Sequence, residues 1–213
     1  MAEDDEKRAA AEHAALLPGD GMTVGLGTGT TVAFLLPALA RRRLDIVCVA
    51  TSPATEQAAL ALGLEVRPFE SMARLDLAID GADQVDTDCW LIKGGGGAHT
   101  REKIVAAAAD RFVVIVSEGK LVEELAPPVP LELLGFGLEA TLATLGEVRL
   151  RPGPPSPDGG RIADYLGPIA SPAELAAELS ATPGVVDHGL FPAELVSEVL
   201  VGRPNGSVTR ILP

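Results

Sequence analysis

Residues 75–120 read LDLAIDGADQVDTDCWLIKGGGGAHTREKIVAAAADRFVVIVSEGK, and this stretch sets the fold class. LDLAID has the length and apolar character of a buried strand, and it ends on Asp80. TREKIVAAAADR reads as a helix and FVVIVSEGK as another strand. Between the first strand and the helix lie Asp80 and Asp83, Lys93 at the mouth of the glycines Gly94–Gly97, and then Glu102 and Lys103. The segment suits no plain core, because it is rich in glycine and its charges are costly to bury unpaired. A strand, an acidic turn, a lysine, a glycine loop and a helix bearing a carboxylate make a candidate active site.

Outward from this stretch the same alternation continues. Residues 3–17 read as a helix stopped by Pro18-Gly19-Asp20-Gly21. MTVGLGTGTT is a short strand breaking into a glycine turn, and VAFLLPALARRR continues as a helix with Thr30 and Thr31 at its start. DIVCVATS is a strand, PATEQAALALG a helix with Gly63 as its C-terminal cap, and LEVRPF a strand. Short apolar strands alternating with helices predict a Rossmann-like parallel sheet with helices on its faces. Ligands of such sheets sit beyond the carboxyl ends of the strands. Thr28–Thr31, Thr51–Ser52, Asp80–Asp83 and Ser117–Lys120 all fall there.

The prolines of Ala126-Pro127-Pro128-Val129-Pro130 interrupt this pattern. They predict a Rossmann-like catalytic domain over 1–126 and a small α+β domain over 127–202. In the latter, PLELLGF, LEATLATLG, EVRLRP, RIADYLG, PAELAAELSA and VVDHGLF give the β-α-β-β-α-β order of a ferredoxin-like module. GPPSPDGG reads as a loop, and the tail over 203–213 has strand character and is expected to return to the first sheet.

Composition narrows the function. The 213 residues are 47% hydrophobic and 22% charged, which marks a folded protein. Aromatics make up 3%, so the core must be Ala, Val, Leu and Ile. No run approaches the roughly 18 apolar residues of a membrane helix, and the acidic N-terminus does not resemble a signal peptide, so a cytoplasmic protein is expected. With 17 basic and 30 acidic residues the net charge is −13, which excludes nucleic acid and anionic membrane as partners. A small anion needs only local donors and a helix N-terminus. Cys48 and Cys89 sit in strand-like contexts as buried thiols, and no metal-ligand spacing is present. His13, His99 and His188 show no triad or metal spacing, and read as surface or core residues.

Gly25-Leu26-Gly27-Thr28-Gly29-Thr30 fails the dinucleotide fingerprint, whose last glycine would fall on Thr30. A tight structural turn and an anion cradle both fit it. Asp80 and Asp83 can form turns, hold sugar hydroxyls or move protons. Lys93 beside the glycines can stabilise an oxyanion. Glu102, near a helix start, is pulled down in pKa by the helix dipole and pushed up by desolvation.

Taken in order, GLGTGTT, ATSPATEQAA, DLAIDGADQVD, LIKGGGGAHTREKIV, SEGKLV, PDGGRIADYL and PGVVDHGLF resemble the signature blocks of type A ribose-5-phosphate isomerases over nearly the whole chain. The resemblance implies interconversion of ribose 5-phosphate and ribulose 5-phosphate through an enediolate, in the non-oxidative pentose phosphate pathway, with no cofactor and no metal. It implies Glu102 as the base, Asp80 and Asp83 at the sugar hydroxyls, and Lys93 with the N–H groups of Gly94, Gly95 and Gly96 at the oxyanion. Thr28, Gly29, Thr30, Thr31, Gly81 and Ala82 would hold the substrate, with Lys120 and Lys7 near the phosphate. A homodimer or homotetramer is expected. Thr30 stands where the family commonly has serine, and Gln84 where it has glutamate. A sugar-phosphate sensor and a coenzyme A transferase on related scaffolds are the alternatives; retention of Glu102, Lys93 and both acids favours the isomerase.

Overall fold

In the computed structural model, which describes residues 2–213, the chain opens with helix α1 (Ala2–Ala14). Next come β1 (Thr23–Leu26), α2 (Thr30–Arg42), β2 (Val47–Ala50), α3 (Pro53–Ala61) and β3 (Glu65–Val66). β4 (Leu77–Asp80) leads into two short strands, β5 (Gln84–Val85) and β6 (Leu91–Ile92), then α4 (His99–Ala108) and β7 (Phe112–Ser117). Beyond the prolines lie β8 (Val129–Leu133), α5 (Leu138–Leu145), β9 (Val148–Leu150), β10 (Arg161–Tyr165), α6 (Pro172–Ala181) and β11 (Val185–His188). The chain finishes with β12 (Leu190–Phe191), β13 (Glu198–Gly202) and β14 (Val208–Ile211).

The large sheet has seven strands in the order β14-β13-β7-β4-β1-β2-β3. All neighbours are parallel except the β13–β14 hairpin. Strand periodicity sorts its side chains between two layers. Val113 and Ile115 face α1 and α2, packing with Leu26, Leu77, Ile79, Ala10, Ala14, Leu35 and Leu39. Phe112, Val114 and Val116 face the opposite layer, with Val199, Val201 and Val105 of α4. Burial on both faces is why FVVIVS is apolar without interruption. α3 ends as expected at Gly63, whose φ is 79°. There Leu64 N–H donates to Ala59 O and Gly63 N–H to Leu60 O, the Schellman pattern.

A second sheet, β11-β8-β10-β9, is antiparallel throughout. Val129, Leu131, Leu133 and Ala163 pack there with Leu175 and Leu179 of α6, in the ferredoxin-like strand order. The anticipated extent of this unit, 127–202, needs correction. β12 pairs with β6, and β13 lies between β7 and β14, so residues 190–202 have already left the second sheet. The return to the large sheet therefore begins well before 203. The reason is legible in β13, EVLVG, which is buried at every position and needs neighbours on both edges and layers on both faces.

Cys48 and Cys89 are free and buried, and burial pushes the Cys48 thiol up to about 12. His99 and His188 are core residues, while His13 is exposed. Among the described residues, no helix is long and apolar enough to cross a membrane.

Candidate active site

Beyond the carboxyl ends of β1, β4 and β7 lies a cavity of about 310 Å³. Lys7, Thr28, Gly29, Thr30, Thr31, Gly81, Ala82, Asp83, Lys93, Gly94, Gly95, Gly96, Glu102 and Lys120 line it. These are the residues expected at the substrate, with one exception, Asp80.

Asp80 closes β4 and lies beneath the cavity, 3% exposed. Its Oδ1 accepts the N–H groups of Thr28 (3.1 Å) and Gly81 (2.7 Å), and its Oδ2 is 2.8 Å from Lys93 Nζ. Asp80, expected at the sugar hydroxyls, is thus set beneath the lining residues rather than among them. Its oxygens are engaged by the turn after β1, by its own strand end and by the lysine. The turn must be glycine for this to happen, because a Cβ at Gly27 would fall 1.8 Å from the Asp80 carboxylate.

Lys93 Nζ also lies 3.1 Å from Glu102 Oε2 and donates to Gly81 O at 2.6 Å. Lys93 and Glu102 are 2% and 5% exposed, so one ammonium serves two carboxylates with almost no water. Burial raises the pKa of both acids, with Lys93 opposing, and Glu102 reaches about 7 under the added repulsion of Asp80. Burial works against the charged lysine, but the two carboxylates outweigh it and hold Lys93 above its ordinary value. The contest at Glu102 between helix dipole and desolvation is thus won by desolvation.

The chain reaches Lys93 through a hairpin with no signal in the sequence pattern. β5 and β6 pair antiparallel, and Asp83 N–H donates to Ile92 O at 2.8 Å, so Asp83 and Lys93 stand side by side at its open end. Lys93 N–H donates in turn to Gly189 O at 2.8 Å. The glycine loop follows. Gly94 has φ 100°, and a Cβ there would lie 2.6 Å from the buried His99 ring. Gly95 N–H donates to Asp83 Oδ2 at 2.8 Å, so of the expected oxyanion donors this one is engaged by a side chain. On its outer side the loop meets Arg151, which sequence reasoning missed. Its Nη1 donates to Gly94 O at 3.1 Å and Gly95 O at 2.9 Å.

The remaining wall is the N-terminus of α2. No side chain caps it, so the first N–H groups of the helix are open to a ligand beside Thr30 and Thr31. Lys7 arrives because α1 packs tightly on β13 and β7: a Cβ at Gly202 would lie 1.9 Å from Glu6 O, and Glu6 Oε2 accepts Glu118 N–H at 3.0 Å. The next residue of α1, Lys7, then lines the cavity, as does Lys120 from the turn after β7. Thr51 and Ser52, expected among the ligand-facing groups, are structural instead. Thr51 shares a 2.8 Å hydrogen bond with Thr28, and Ser52 caps α3 by accepting Thr55 N–H. Gln84 faces away from the cavity and pairs doubly with the Ala126 backbone, donating to its O (2.7 Å) and accepting from its N–H (2.8 Å).

The family profile of Ribose 5-phosphate isomerase A (phosphoriboisomerase A) matches residues 47–206. Ribose-5-phosphate isomerase A of Methanosarcina acetivorans is 44% identical, over 95% of this chain and 92% of its own. The solved ribose 5-phosphate isomerase A of Methanocaldococcus jannaschii superposes with a TM-score of 0.91 at 34% identity, covering 97% of this chain and 98% of its own. A solved D-ribose-5-phosphate isomerase in complex with phospho-erythronic acid gives 0.93 at 33% identity over the whole of both chains. Fold, cavity and sequence together place the chain in the ribose 5-phosphate isomerase A family.

Proposed function

We infer that the chain interconverts D-ribose 5-phosphate and D-ribulose 5-phosphate through an enediolate. The observation that carries the reading is a carboxylate with a pKa near 7, Glu102, held against a buried ammonium at the wall of a sugar-sized cavity. Isomerising an aldose requires a base for the C2 proton and a positive group for the charge that develops on oxygen. Glu102 takes the C2 proton of the open-chain aldose, and the negative charge passes to O1. Lys93 and the glycine-loop N–H groups stabilise that charge, and Glu102 returns the proton to C1. Asp83 lines the cavity and serves ring opening and the proton exchange between O1 and O2, so no net proton is gained or lost. Asp80 holds Lys93 in place. The phosphate binds at the α2 N-terminus, with Lys7 and Lys120 adding positive charge. The solved relative bound to phospho-erythronic acid, a phosphorylated four-carbon acid, supports a sugar-phosphate ligand. We further propose that the β8–β11 segment is a separate small unit and that the chain works in the cytoplasm as a homodimer or homotetramer.

The test is conversion of ribose 5-phosphate to the ketose with chelator present, alongside Glu102→Gln. Wild type should turn over. The variant should lose about 10²–10⁴-fold in turnover, the span of a general base, while still binding phospho-erythronic acid. Wild-type-like turnover in the variant would remove Glu102 from the mechanism.

A further inference from the structure

Arg151 follows β9 in the second sheet, yet its guanidinium reaches the glycine loop of the first. Nη1 donates to Gly94 O (3.1 Å) and Gly95 O (2.9 Å), while Nε and Nη2 fork onto the buried carboxylate of Asp164, the closest contact being 2.7 Å. A trans peptide is planar, with its C=O and N–H pointing opposite ways. The C=O of Gly94 belongs to the same peptide as the N–H of Gly95, and the C=O of Gly95 to that of Gly96. Holding both carbonyls outward therefore aims both N–H groups at the cavity. The Gly95 N–H does point that way, since it meets the cavity-lining Asp83. Gly94 O also accepts Gly97 N–H at 2.9 Å, so the first peptide is held within the loop as well, whereas the partner of Gly95 O is Arg151. Glycine peptides rotate freely when nothing holds them, and this run already contains positive φ at Gly94 and Gly97. A cation on the carbonyl oxygen also polarises the peptide and strengthens the N–H as a donor.

We propose that Arg151, anchored by Asp164, is a positioning residue that holds the Gly94–Gly96 loop so that the Gly96 N–H, next to the one Asp83 takes, receives the enediolate oxygen. This rests on the assignment of the glycine loop to the oxyanion. The second sheet then has a part in the reaction: it holds the outer side of a loop whose inner side meets the intermediate.

Arg151→Ala and Arg151→Lys would be compared with wild type for turnover of ribose 5-phosphate and for binding of phospho-erythronic acid, whose carboxylate carries the delocalised charge of an enediolate. Glu102→Gln is run beside them. In Arg151→Ala, kcat should fall about 10²-fold, the cost of roughly an ångström of misplacement, with KM little changed. Affinity for the acid should weaken in parallel with kcat/KM, and added guanidinium should restore part of the rate. Arg151→Lys keeps the charge but replaces the rigid planar fork with a point charge, so it should lose about tenfold, less than alanine. It serves as the readout if the alanine variant does not fold. Wild-type kcat in either folded variant, or equal loss of substrate and acid affinity with kcat intact, overturns the proposal. Should Glu102→Gln retain turnover, the site assignment itself falls, and this inference with it. If Glu102→Gln is dead and the arginine variants are fully active, only this inference falls.

Discussion

The two working parts of the cavity are built in opposite ways. The cradle at the α2 N-terminus comes from consecutive residues, Thr28–Thr31, whose donors belong to the helix itself. The charged cluster comes from a strand end, a hairpin end and a helix, brought together by Asp80, Lys93 and Glu102. A cradle of this kind loses one contact at a time. In a buried cluster each charge is tolerated only because of the others, so losing one changes the state of the rest.

Lys93→Ala should therefore have the largest effect. It leaves two buried carboxylates facing each other, which should lower kcat about 10²–10³-fold and cost about 3–5 kcal/mol of stability. Kinetics and denaturant unfolding would read both; a stable variant impaired only in KM would break the contrast between the two parts. The pH profile follows in size. As the proposed base Glu102 would have to be ionised, and its folded pKa is raised to about 7, so kcat/KM should fall tenfold per pH unit below about 7 and level off above it. A plateau extending down to the ordinary carboxylate range would show that the cluster does not hold the proton on Glu102. Lys120→Ala removes one charge from the half-buried rim. KM should rise about tenfold, for an interaction of about 1.4 kcal/mol, with kcat nearly unchanged and the effect weaker in high salt. A fall in kcat instead would join the cradle to the chemistry. Gln84→Glu should do least: about 1 kcal/mol of stability, read as a lower melting temperature, with unchanged turnover. A carboxylate cannot donate to Ala126 O as the amide does. Altered kinetics would place Gln84 closer to the reaction than its hydrogen bonds indicate.

The sequence shows the alternating scaffold because the inner strands advertise their own burial: FVVIVS is apolar on both faces over its length, and Leu77-Ala78-Ile79 is apolar up to Asp80. The three-stranded sheet β12-β6-β5 is hidden for the opposite reason. Strands of two residues carry no period, and their pairing is fixed by partners far along the chain. The cavity-lining residues were legible because most lie just beyond a strand end, as the parallel topology demands. Asp80 is legible as a site residue but its pairing is not, because Thr28, Gly81 and Lys93 reach its oxygens only once the strand, turn and hairpin are folded together. Arg151 was passed over because its partners at the loop are backbone carbonyls, which no residue type announces.

The backbone anchor of Lys93 bears on how the enzyme comes into being. Lys93 N–H donates to Gly189 O, and Gly189 N–H to Pro130 O, while β13 supplies the outer neighbour of β7. During synthesis the glycine loop and Glu102 emerge well before the residues that hold the lysine in register. The nascent chain thus carries Lys93 and Glu102 early but meets the residues that support them only after residue 189 has been made. Pairings so distant in sequence close large loops, which slows folding relative to a chain whose contacts are local.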